Sequence, residues 1–265
     1  MAQSTPVYRF DHAIACEPSR SVIRGLRAQD RGSPTYEGVK AEHDAYVAAL
    51  RRAGVKVTVL PALEDFPDSI FIEDPALVFT EGAIVLRPGA PTRLGEAAAL
   101  EPVLRTRFPV VLELPTGGFA DGGDVLVTPK RVFIGRSART DAAGARALAD
   151  CLTKLGRHSE IIATPKEVLH FKTDCSLLDD ATVLSTARLA QAGIFTELKQ
   201  LIVPPGEEAA ANALRVNDVV LVGAQYPRTI DMLNRAGFDV VPLHTTEIAK
   251  IDAGLSCMSL RWLAS

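Results

Sequence analysis

The sequence predicts an α/β fold in which five irregular copies of a helix–strand–hairpin unit are arranged radially or as a barrel. Two observations predict it. Stretches typical of a helix followed by a strand end near positions 57, 112, 161, 202 and 240. Each is followed by short runs rich in β-forming residues. In such a repeat every unit buries its apolar face against the next. From periodicity alone, an ordinary α/β sheet with alternating strands and helices is an open alternative.

The first unit has the clearest helix. Apolar residues recur at helical spacing over 36–53, and Gly54 stands where a glycine commonly ends a helix. A strand over 55–60 is expected to follow at once. The next polar and β-rich stretch, 71–79 with 83–88, then predicts a hairpin.

The same pattern recurs along the rest of the chain. Thr140 is expected to cap a helix that Gly156 ends, before a strand over 159–163. A further copy places a helix at 228–236, Gly237 after it, and a strand at 239–243. Less regular copies end in strands at 110–114 and 201–203. The remaining β-rich runs lie at 124–129, 132–135, 181–185, 216–223 and 257–262.

Length and composition indicate an ordinary globular protein. The 265 residues are 47% hydrophobic and 23% charged, which excludes disordered, collagen-like and coiled-coil chains. No linker rich in proline, glycine or serine divides the chain, so we expect a single domain over 1–265. The formal charge of −3 argues against nucleic-acid binding, since it gives no global positive field.

Cysteine usage and hydropathy predict a cytoplasmic location. The four cysteines, Cys16, Cys151, Cys175 and Cys257, are widely spaced and form no C-x-x-C pair. This spacing fits neither a disulfide framework nor a zinc site. Neither a secretory signal pattern nor a run of 18 apolar residues is found, so no membrane association is expected.

Polar clusters recur at corresponding places in the repeated units. Motifs for nucleotide binding, zinc proteases and serine hydrolases are missing. The clusters cover 67–74, 121–124, 169–173 and 252–259. In a radial arrangement, the matching ends of the units converge, so these residues are expected to meet at one point.

The converging residues suit thiolate attack on a cationic electrophile. Cys257 is the candidate nucleophile, and His170 could protonate a leaving group. Asp121 or Asp124 could orient the imidazole. Each residue alone also has a structural interpretation, because cysteine is frequently buried, a histidine between Leu169 and Phe171 can belong to the core, and Asp-Gly-Gly-Asp can be a turn.

Two acids and two arginines complete this candidate site. Glu73 and Asp74 interrupt an apolar stretch, and a buried carboxylate without a partner is costly. We therefore expect a bound cation or an internal arginine beside them. Arg87 and Arg139 each follow an apolar strand and could direct a planar guanidinium at a substrate carboxylate.

Taken together, the motifs closely resemble the dimethylarginine dimethylaminohydrolase family of the pentein superfamily. The matching stretches span nearly the whole chain. They are Gly25-Leu26-Arg27, PDSIFIEDPALV, LRPGAPTR, DGGDVL, FIGRSART, EVLHFKT, NALRVND, YPRT and KIDAGLSCMSLR. The fold that this resemblance implies is a five-bladed, pseudo-symmetric α/β propeller, which agrees with the five units.

The resemblance also implies a role for each candidate residue. It assigns Cys257 as nucleophile, His170 as general acid and base, and Asp121 as the acid that orients His170. Some bacterial relatives have glutamate at this last position, and Asp124 could share its work. The substrate-binding positions are Glu73 and Asp74 for the guanidinium, Asp68 for the α-amino group, Arg87 and Arg139 for the α-carboxylate, Leu26 in a mobile lid, and Asp252 close to the thiol.

The implied reaction is hydrolysis of Nω-methylated L-arginines to L-citrulline and a methylamine through a covalent thiouronium on Cys257. The substrate carries its own positive charge, so no metal or cofactor is expected. The only partner expected is this small molecule, and a homodimer is an open alternative.

Three alternatives stay open at this point. Arginine deiminase uses the same chemistry on unmethylated arginine, but deiminases commonly have His-x-Asp where this chain has Lys172, and they usually contain a helical insertion. A citrulline hydrolase or an amidinotransferase of the same superfamily is a second alternative. The third is a non-catalytic protein that binds basic amino acids.

Overall fold

The computed structural model describes residues 5–28, 30–166 and 168–264, and in these ranges the chain forms fifteen strands and five α-helices. The helices are α1 (Tyr36–Arg52), α2 (Leu94–Arg107), α3 (Ala142–Lys154), α4 (Ala187–Gln191) and α5 (Pro227–Arg235). The strands are β1 (His12–Cys16), β2 (Lys56–Leu60), β3 (Ala76–Phe79), β4 (Gly82–Val85), β5 (Val111–Glu113), β6 (Val125–Val127), β7 (Val132–Arg136), β8 (Ser159–Ala163), β9 (Cys175–Leu177), β10 (Thr182–Ser185), β11 (Lys199–Ile202), β12 (Leu214–Val216), β13 (Val219–Gly223), β14 (Asp239–Leu243) and β15 (Leu260–Trp262). Residues 1–4 of the N-terminal stretch and Glu167 of the EVLHFKT motif lie outside the described residues.

The strands form three-stranded sheets that share one arrangement. Sheet 1 is β15-β1-β2, sheet 2 is β3-β4-β5, sheet 3 is β6-β7-β8, sheet 4 is β9-β10-β11 and sheet 5 is β12-β13-β14. In each, the middle strand pairs antiparallel with the first and parallel with the third. A parallel pair needs a crossover, and one of the five helices supplies it in every sheet.

Buried apolar side chains join each sheet to the next. In the described chain they form five core clusters, and each cluster joins two sheets. Ile14 of sheet 1 shares a cluster with Val85 of sheet 2, Leu77 of sheet 2 with Ile134 of sheet 3, Leu126 of sheet 3 with Val183 of sheet 4, Leu184 of sheet 4 with Val220 of sheet 5, and Leu221 of sheet 5 with Ala13 of sheet 1. The contacts return from the fifth sheet to the first, which confirms the α/β fold with five repeated units.

The regular helices and strands agree with the sequence. The first helix ends before Gly54, whose φ of 89° lies in the left-handed region that glycine adopts without strain. Both β8 and β14 have the predicted bounds. None of the described helices is both long and apolar enough to cross a membrane.

One cap prediction is wrong. The residue that caps α3 is Asp141, whose side chain accepts a 2.7 Å hydrogen bond from the Gly144 N–H. Thr140 is buried instead, and its hydroxyl donates to Asp124 at 2.6 Å. A carboxylate is at least as good a cap as a hydroxyl, and the threonine is needed to satisfy a buried acid.

Three β-rich runs are shorter or more broken than predicted. The run 216–223 is a hairpin, because Asn217 adopts a φ of 53° and turns the chain between β12 and β13. The run 71–79 becomes a strand only at Ala76, and 257–262 only at Leu260. The turns that precede these two strands hold the acid pair and Cys257. The first strand β1 is an element that the sequence analysis did not predict.

Candidate active site

The turns before the first strands of several hairpins bring distant residues to one cavity. Asp74 precedes β3, His170 precedes β9 and Cys257 precedes β15. Their equivalent places in the repeated units put them at the same end of the sheets. The residues that line the cavity are Leu26, Arg27, Ala28, Asp68, Phe71, Asp74, Arg93, Arg139, Leu169, His170, Ile251, Asp252, Ala253 and Cys257.

The structure pairs His170 with Asp121. The ring nitrogen Nε2 of His170 lies 3.0 Å from Oδ2 of Asp121, whose side chain is fully buried. The other oxygen, Oδ1, accepts a 2.7 Å hydrogen bond from the Gly89 N–H. The carboxylate is thereby fixed, so it can hold the imidazole in one orientation.

Asp124 does different work in the structure. Its oxygens accept hydrogen bonds from the Phe171 N–H at 2.8 Å and from the Ser137 and Thr140 hydroxyls at 2.6 Å each. No described hydrogen bond joins it to the imidazole. It therefore anchors the backbone next to His170, and of the two acids weighed from the sequence, Asp121 is the one that contacts the ring.

The two glycines of Asp-Gly-Gly-Asp are there for close approach, not only for a turn. A Cβ at Gly122 would lie 2.0 Å from the Glu73 carbonyl oxygen. A Cβ at Gly123 would lie 2.9 Å from both Asp74 Oδ1 and the His170 ring. Only glycine at these two positions lets the acid pair and the histidine come together.

Negative charge around His170 favours its protonated form. Burial alone would lower the pKa of the imidazole, but the charge of Asp74, the hydrogen bond to Asp121 and the charge of Asp124 outweigh it and raise the pKa to about 9. One carboxylate oxygen each of Asp74 and Asp121 and one ring nitrogen of His170 lie within 4.8 Å of one another. The residue is therefore an imidazolium at neutral pH.

An internal arginine supplies the partner expected for Asp74. Arg93 is 4% exposed and forms an ion pair with Asp74 through Nη1. Its other nitrogens bind Glu96 and the carbonyl oxygens of Asp68 and Phe71. Burial alone would raise the pKa of Asp74, but Arg93 and the other cations nearby hold it below its usual range.

Glu73 points away from this cavity. Its Oε1 accepts from the Lys172 ammonium at 2.6 Å and from Arg261 Nη2 at 2.9 Å. Glu73 and Lys172 line a larger cavity along β3, β6, β9, β12 and β15, which contains neither Cys257 nor His170. Two acids were expected to bind a guanidinium, and of these the structure brings Asp74 to the cavity. Glu73 does not line it, because its carboxylate is paired with Lys172 and Arg261.

Cys257 is an uncharged thiol in this environment. Burial and the charges of Asp74 and Glu73 raise its pKa to about 11, and Lys172 opposes them. Asn212 Nδ2 and Ser256 Oγ each lie 3.9 Å from the sulfur. A positive charge entering beside Asp74 would reverse the balance of charge at the sulfur and favour the thiolate.

The two arginines expected to hold a carboxylate lie in different places. Arg139 lines the cavity, whereas Arg87 does not. The guanidinium of Arg87 lies over the Phe119 ring, 5.0 Å from its centroid. The LRPGAPTR motif contains a second arginine, Arg93, and this residue is the one that reaches the cavity. The cavity residue of this motif is therefore Arg93, and a substrate-binding role for Arg87 stays a prediction.

The segment around Leu26 covers the cavity and is fastened on two sides. The Leu26 N–H donates to Asp68 Oδ1 at 2.9 Å, and the Ala28 N–H donates to Asp252. Asp68 and Asp252 both line the cavity. These contacts place three predicted substrate-binding residues together, with the two acids holding the backbone of the covering segment.

Two residues at the site escaped the sequence analysis. Arg93 could have been found from the cost of a buried acid pair and from Glu96 three residues later, which is the spacing of neighbours on a helix. Asn212 begins the NALRVND stretch, but no chemical signature connects one asparagine with a cysteine 45 residues away. Its part in the site is visible only in three dimensions.

Comparison with known proteins identifies similar chains. A sequence model of the family described as "N,N dimethylarginine dimethylhydrolase, eukaryotic" matches residues 27–163. An N(G),N(G)-dimethylarginine dimethylaminohydrolase of Pseudomonas aeruginosa is 38% identical over 254 residues, covering 96% of this chain and 100% of its own. A protein of the same name from Streptomyces coelicolor is 31% identical and covers 94% of this chain and 96% of its own.

A solved structure agrees with these matches. The P. aeruginosa dimethylarginine dimethylaminohydrolase, as a cysteine-to-serine variant in complex with citrulline, superimposes with a TM-score of 0.93 and 37% identity. The alignment covers 96% of this chain and 100% of that one. Fold and sequence therefore agree along nearly the whole length, and the resemblance noted from the motifs is confirmed.

Proposed function

The chain belongs to the dimethylarginine dimethylaminohydrolase family, and we propose that it hydrolyses Nω,Nω-dimethyl- and Nω-monomethyl-L-arginine to L-citrulline, releasing dimethylamine or methylamine. The observation that carries this proposal is one cavity lined by Cys257, His170 and Asp74, with Asp121 buried behind His170 and bonded to its ring. It holds a nucleophile, a proton donor and a counter-charge for a guanidinium, which this reaction requires.

The cavity can bind the whole amino acid. Asp74 binds the guanidinium of the substrate, and Arg139 binds its α-carboxylate. Asp68 accepts from the α-amino group, for which the Leu26 N–H must give way or share the carboxylate. Leu26, Arg27 and Ala28 then act as a lid, held closed in part by Asp252.

Binding of the cation activates the thiol. With a pKa of about 11, Cys257 is protonated at neutral pH in the free enzyme. The guanidinium neutralises the charge of Asp74, one of the groups that raise this pKa. The thiol then loses its proton to solvent water, and the thiolate attacks the guanidinium carbon to give a neutral tetrahedral adduct.

His170 moves the protons of both half-reactions. Because Asp121 occupies Nε2, Nδ1 is the ring nitrogen left to exchange protons with the substrate. The imidazolium protonates the departing amine, which leaves a thiouronium cation on Cys257 and a neutral imidazole. The imidazole then takes a proton from water while the hydroxide adds to the same carbon. The new adduct expels the sulfur, which takes up the hydroxyl proton and becomes a thiol again, and citrulline is formed.

The position of Lys172 favours methylated substrates over arginine. Its ammonium bonds Glu73 2.6 Å away, so that a single carboxylate of the acid pair is presented to the guanidinium. A second acid would demand N–H donors that a dimethylated nitrogen lacks, and an unmet buried acceptor is costly. Arginine deiminases commonly supply such a second acid as the aspartate of His-x-Asp, at the position that Lys172 occupies here.

A side-by-side assay of ureido product tests the proposal. We expect citrulline from monomethyl- and dimethylarginine, and kcat/KM for arginine at least about 100-fold lower, since one unmatched polar contact carries discrimination of this order. Release of dimethylamine in equal amount, measured by NMR, completes the balance. Faster turnover of arginine than of either methylated form would establish the deiminase reading instead.

Thiol labelling supplies a second prediction. A haloacetamidine carries the amidinium charge of the substrate, so it should alkylate Cys257 at pH 7.5 at least about 100 times faster than neutral iodoacetamide does. Cys16, Cys151 and Cys175 are buried, and burial raises the pKa of each thiol. Peptide mapping should therefore locate the label at Cys257. Equal labelling of all four cysteines would count against an activated site.

A reducing, cytoplasmic environment is part of the proposal. All four cysteines are free, and Cys257 must remain a thiol to act as a nucleophile. Oxidation of that sulfur is expected to stop turnover, and a thiol reductant should restore it.

A further inference from the structure

The side chain of Asn212 is held against the turn that carries Cys257. Asn212 follows a short 3-10 helix, Glu208–Ala211, and comes two residues before β12. Its Nδ2 lies 3.9 Å from the Cys257 sulfur. Its Oδ1 accepts a 3.1 Å hydrogen bond from the Ser256 N–H. One amide therefore contacts both the nucleophile and the backbone of the residue before it.

The hydrogen bond to Ser256 fixes which way the amide points. A backbone N–H can only donate, so it requires the amide oxygen. The amide NH₂ must then face the sulfur. The orientation follows from this network and does not depend on the choice between two similar atoms. A group that can only donate is thus directed at Cys257.

Gly254 makes this arrangement possible. A Cβ at position 254 would lie 2.2 Å from Cγ, 2.3 Å from Nδ2 and 2.6 Å from Oδ1 of Asn212. The amide is therefore packed flat against the glycine. The Gly254 carbonyl also accepts a 3.3 Å hydrogen bond from the Cys257 N–H. The same turn therefore holds the backbone of the residue that carries the sulfur. A side chain at position 254 would therefore displace the amide.

We propose that Asn212 is a further functional residue of this site, whose amide NH₂ donates to the Cys257 sulfur and stabilises the thiolate during attack and during its later expulsion. This role rests on the proposed function, since it assumes that the thiolate is the nucleophile. The two acids nearby disfavour a negative sulfur, so a fixed neutral donor assists the thiolate when it forms beside the bound cation and again when it is expelled. A contact of 3.9 Å to the thiol should shorten when the sulfur becomes charged.

Two substitutions separate donation from support of the turn. Asn212→Asp keeps the shape and the acceptor for the Ser256 N–H but puts a negative charge in place of the donor, whereas Asn212→Ala removes both groups and adds no charge. We expect each to lower the rate of Cys257 alkylation by iodoacetamide roughly tenfold or more at pH 7.5 and to move its pH profile to higher pH. With dimethylarginine, kcat should fall by a similar factor and KM should change less than about threefold. Asn234→Asp, the same change at an exposed site on α5, is the matched control.

A second route moves the amide without changing it. Gly254→Ala forces Asn212 aside and should slow alkylation in the same direction. In the Asn212→Ala background the clash is gone, so Gly254→Ala should add less than about twofold there. This non-additivity ties the effect to the Asn212 amide, and it can be measured even if the aspartate variant folds poorly.

The alkylation assay is independent of the identity of the substrate. An Asn212→Asp enzyme with the thermal unfolding midpoint, the alkylation pH profile and the kcat of the wild type would overturn the proposal. So would a full additive effect of Gly254→Ala in the Asn212→Ala background. If the wild type forms no citrulline but Asn212→Asp still shifts the profile, the proposed reaction fails while the contact with the sulfur stands.

Discussion

Replacing Cys257 by serine is expected to lower citrulline formation from dimethylarginine by about 10⁴-fold or more, while the affinity for dimethylarginine stays within roughly fivefold of wild type. A hydroxyl is far less acidic than a thiol, and nothing in the cavity takes its proton. The residues proposed to bind the substrate, Asp68, Asp74 and Arg139, are unchanged, so binding should persist. Isothermal titration calorimetry and the ureido assay measure the two quantities.

The matched control is Cys151→Ser. Cys151 is buried in the core between sheets 2 and 3 and lies outside the cavity. We expect full turnover from this variant, with at most a modest loss of stability. Citrulline formation at the wild-type rate by Cys257→Ser would remove the cysteine mechanism altogether. Wild-type protein that binds methylarginine without forming citrulline would favour the non-catalytic binding protein.

Regular elements could be predicted from the sequence because their signals are local. An apolar face and Gly54 predict helix α1, and β8 and β14 come soon after the helix-ending glycines Gly156 and Gly237. The number of repeated units was also readable. Two units, the second and the fourth, have weaker signals; in the second, helix α2 contains Pro102 and has apolar residues spread around it. The first strand β1 has its partner β15 at the opposite end of the chain, a pairing that no local signal reports.

The chemistry of the candidate site could be predicted from the sequence, but the directions in which its side chains point could not. The need for a cation beside the buried acids followed from desolvation, and Arg93 meets it. The sequence could not say that Glu73 and Asp74, which are adjacent, would face different cavities. Nor could it choose between the two arginines of LRPGAPTR, because the choice depends on how the chain turns after β4.

Replacing Asp121 by asparagine is expected to lower kcat by about 10²- to 10⁴-fold with a smaller effect on KM. The carboxylate accepts the Nε2 hydrogen of His170, and an amide can present an NH₂ group there instead, which stabilises the wrong tautomer. The pKa of His170 should fall from about 9, because the substitution removes a hydrogen bond and a charge that raise it. NMR titration of the ring and the pH profile of kcat measure these changes.

Asp124→Asn separates this effect from loss of a buried charge. Asp124 accepts the Phe171 N–H and two hydroxyls but does not contact the ring, so its replacement should mainly lower the thermal unfolding midpoint. Its charge also raises the pKa of His170, so a small downward shift is expected there as well. If Asp124→Asn lowered kcat as much as Asp121→Asn and the histidine titrated alike in both variants, the two acids would share the orienting role. A large loss of kcat that is confined to Asp121→Asn is the outcome that the geometry predicts. The Gly89 N–H occupies one oxygen of Asp121, so the other oxygen is the one that binds the imidazole.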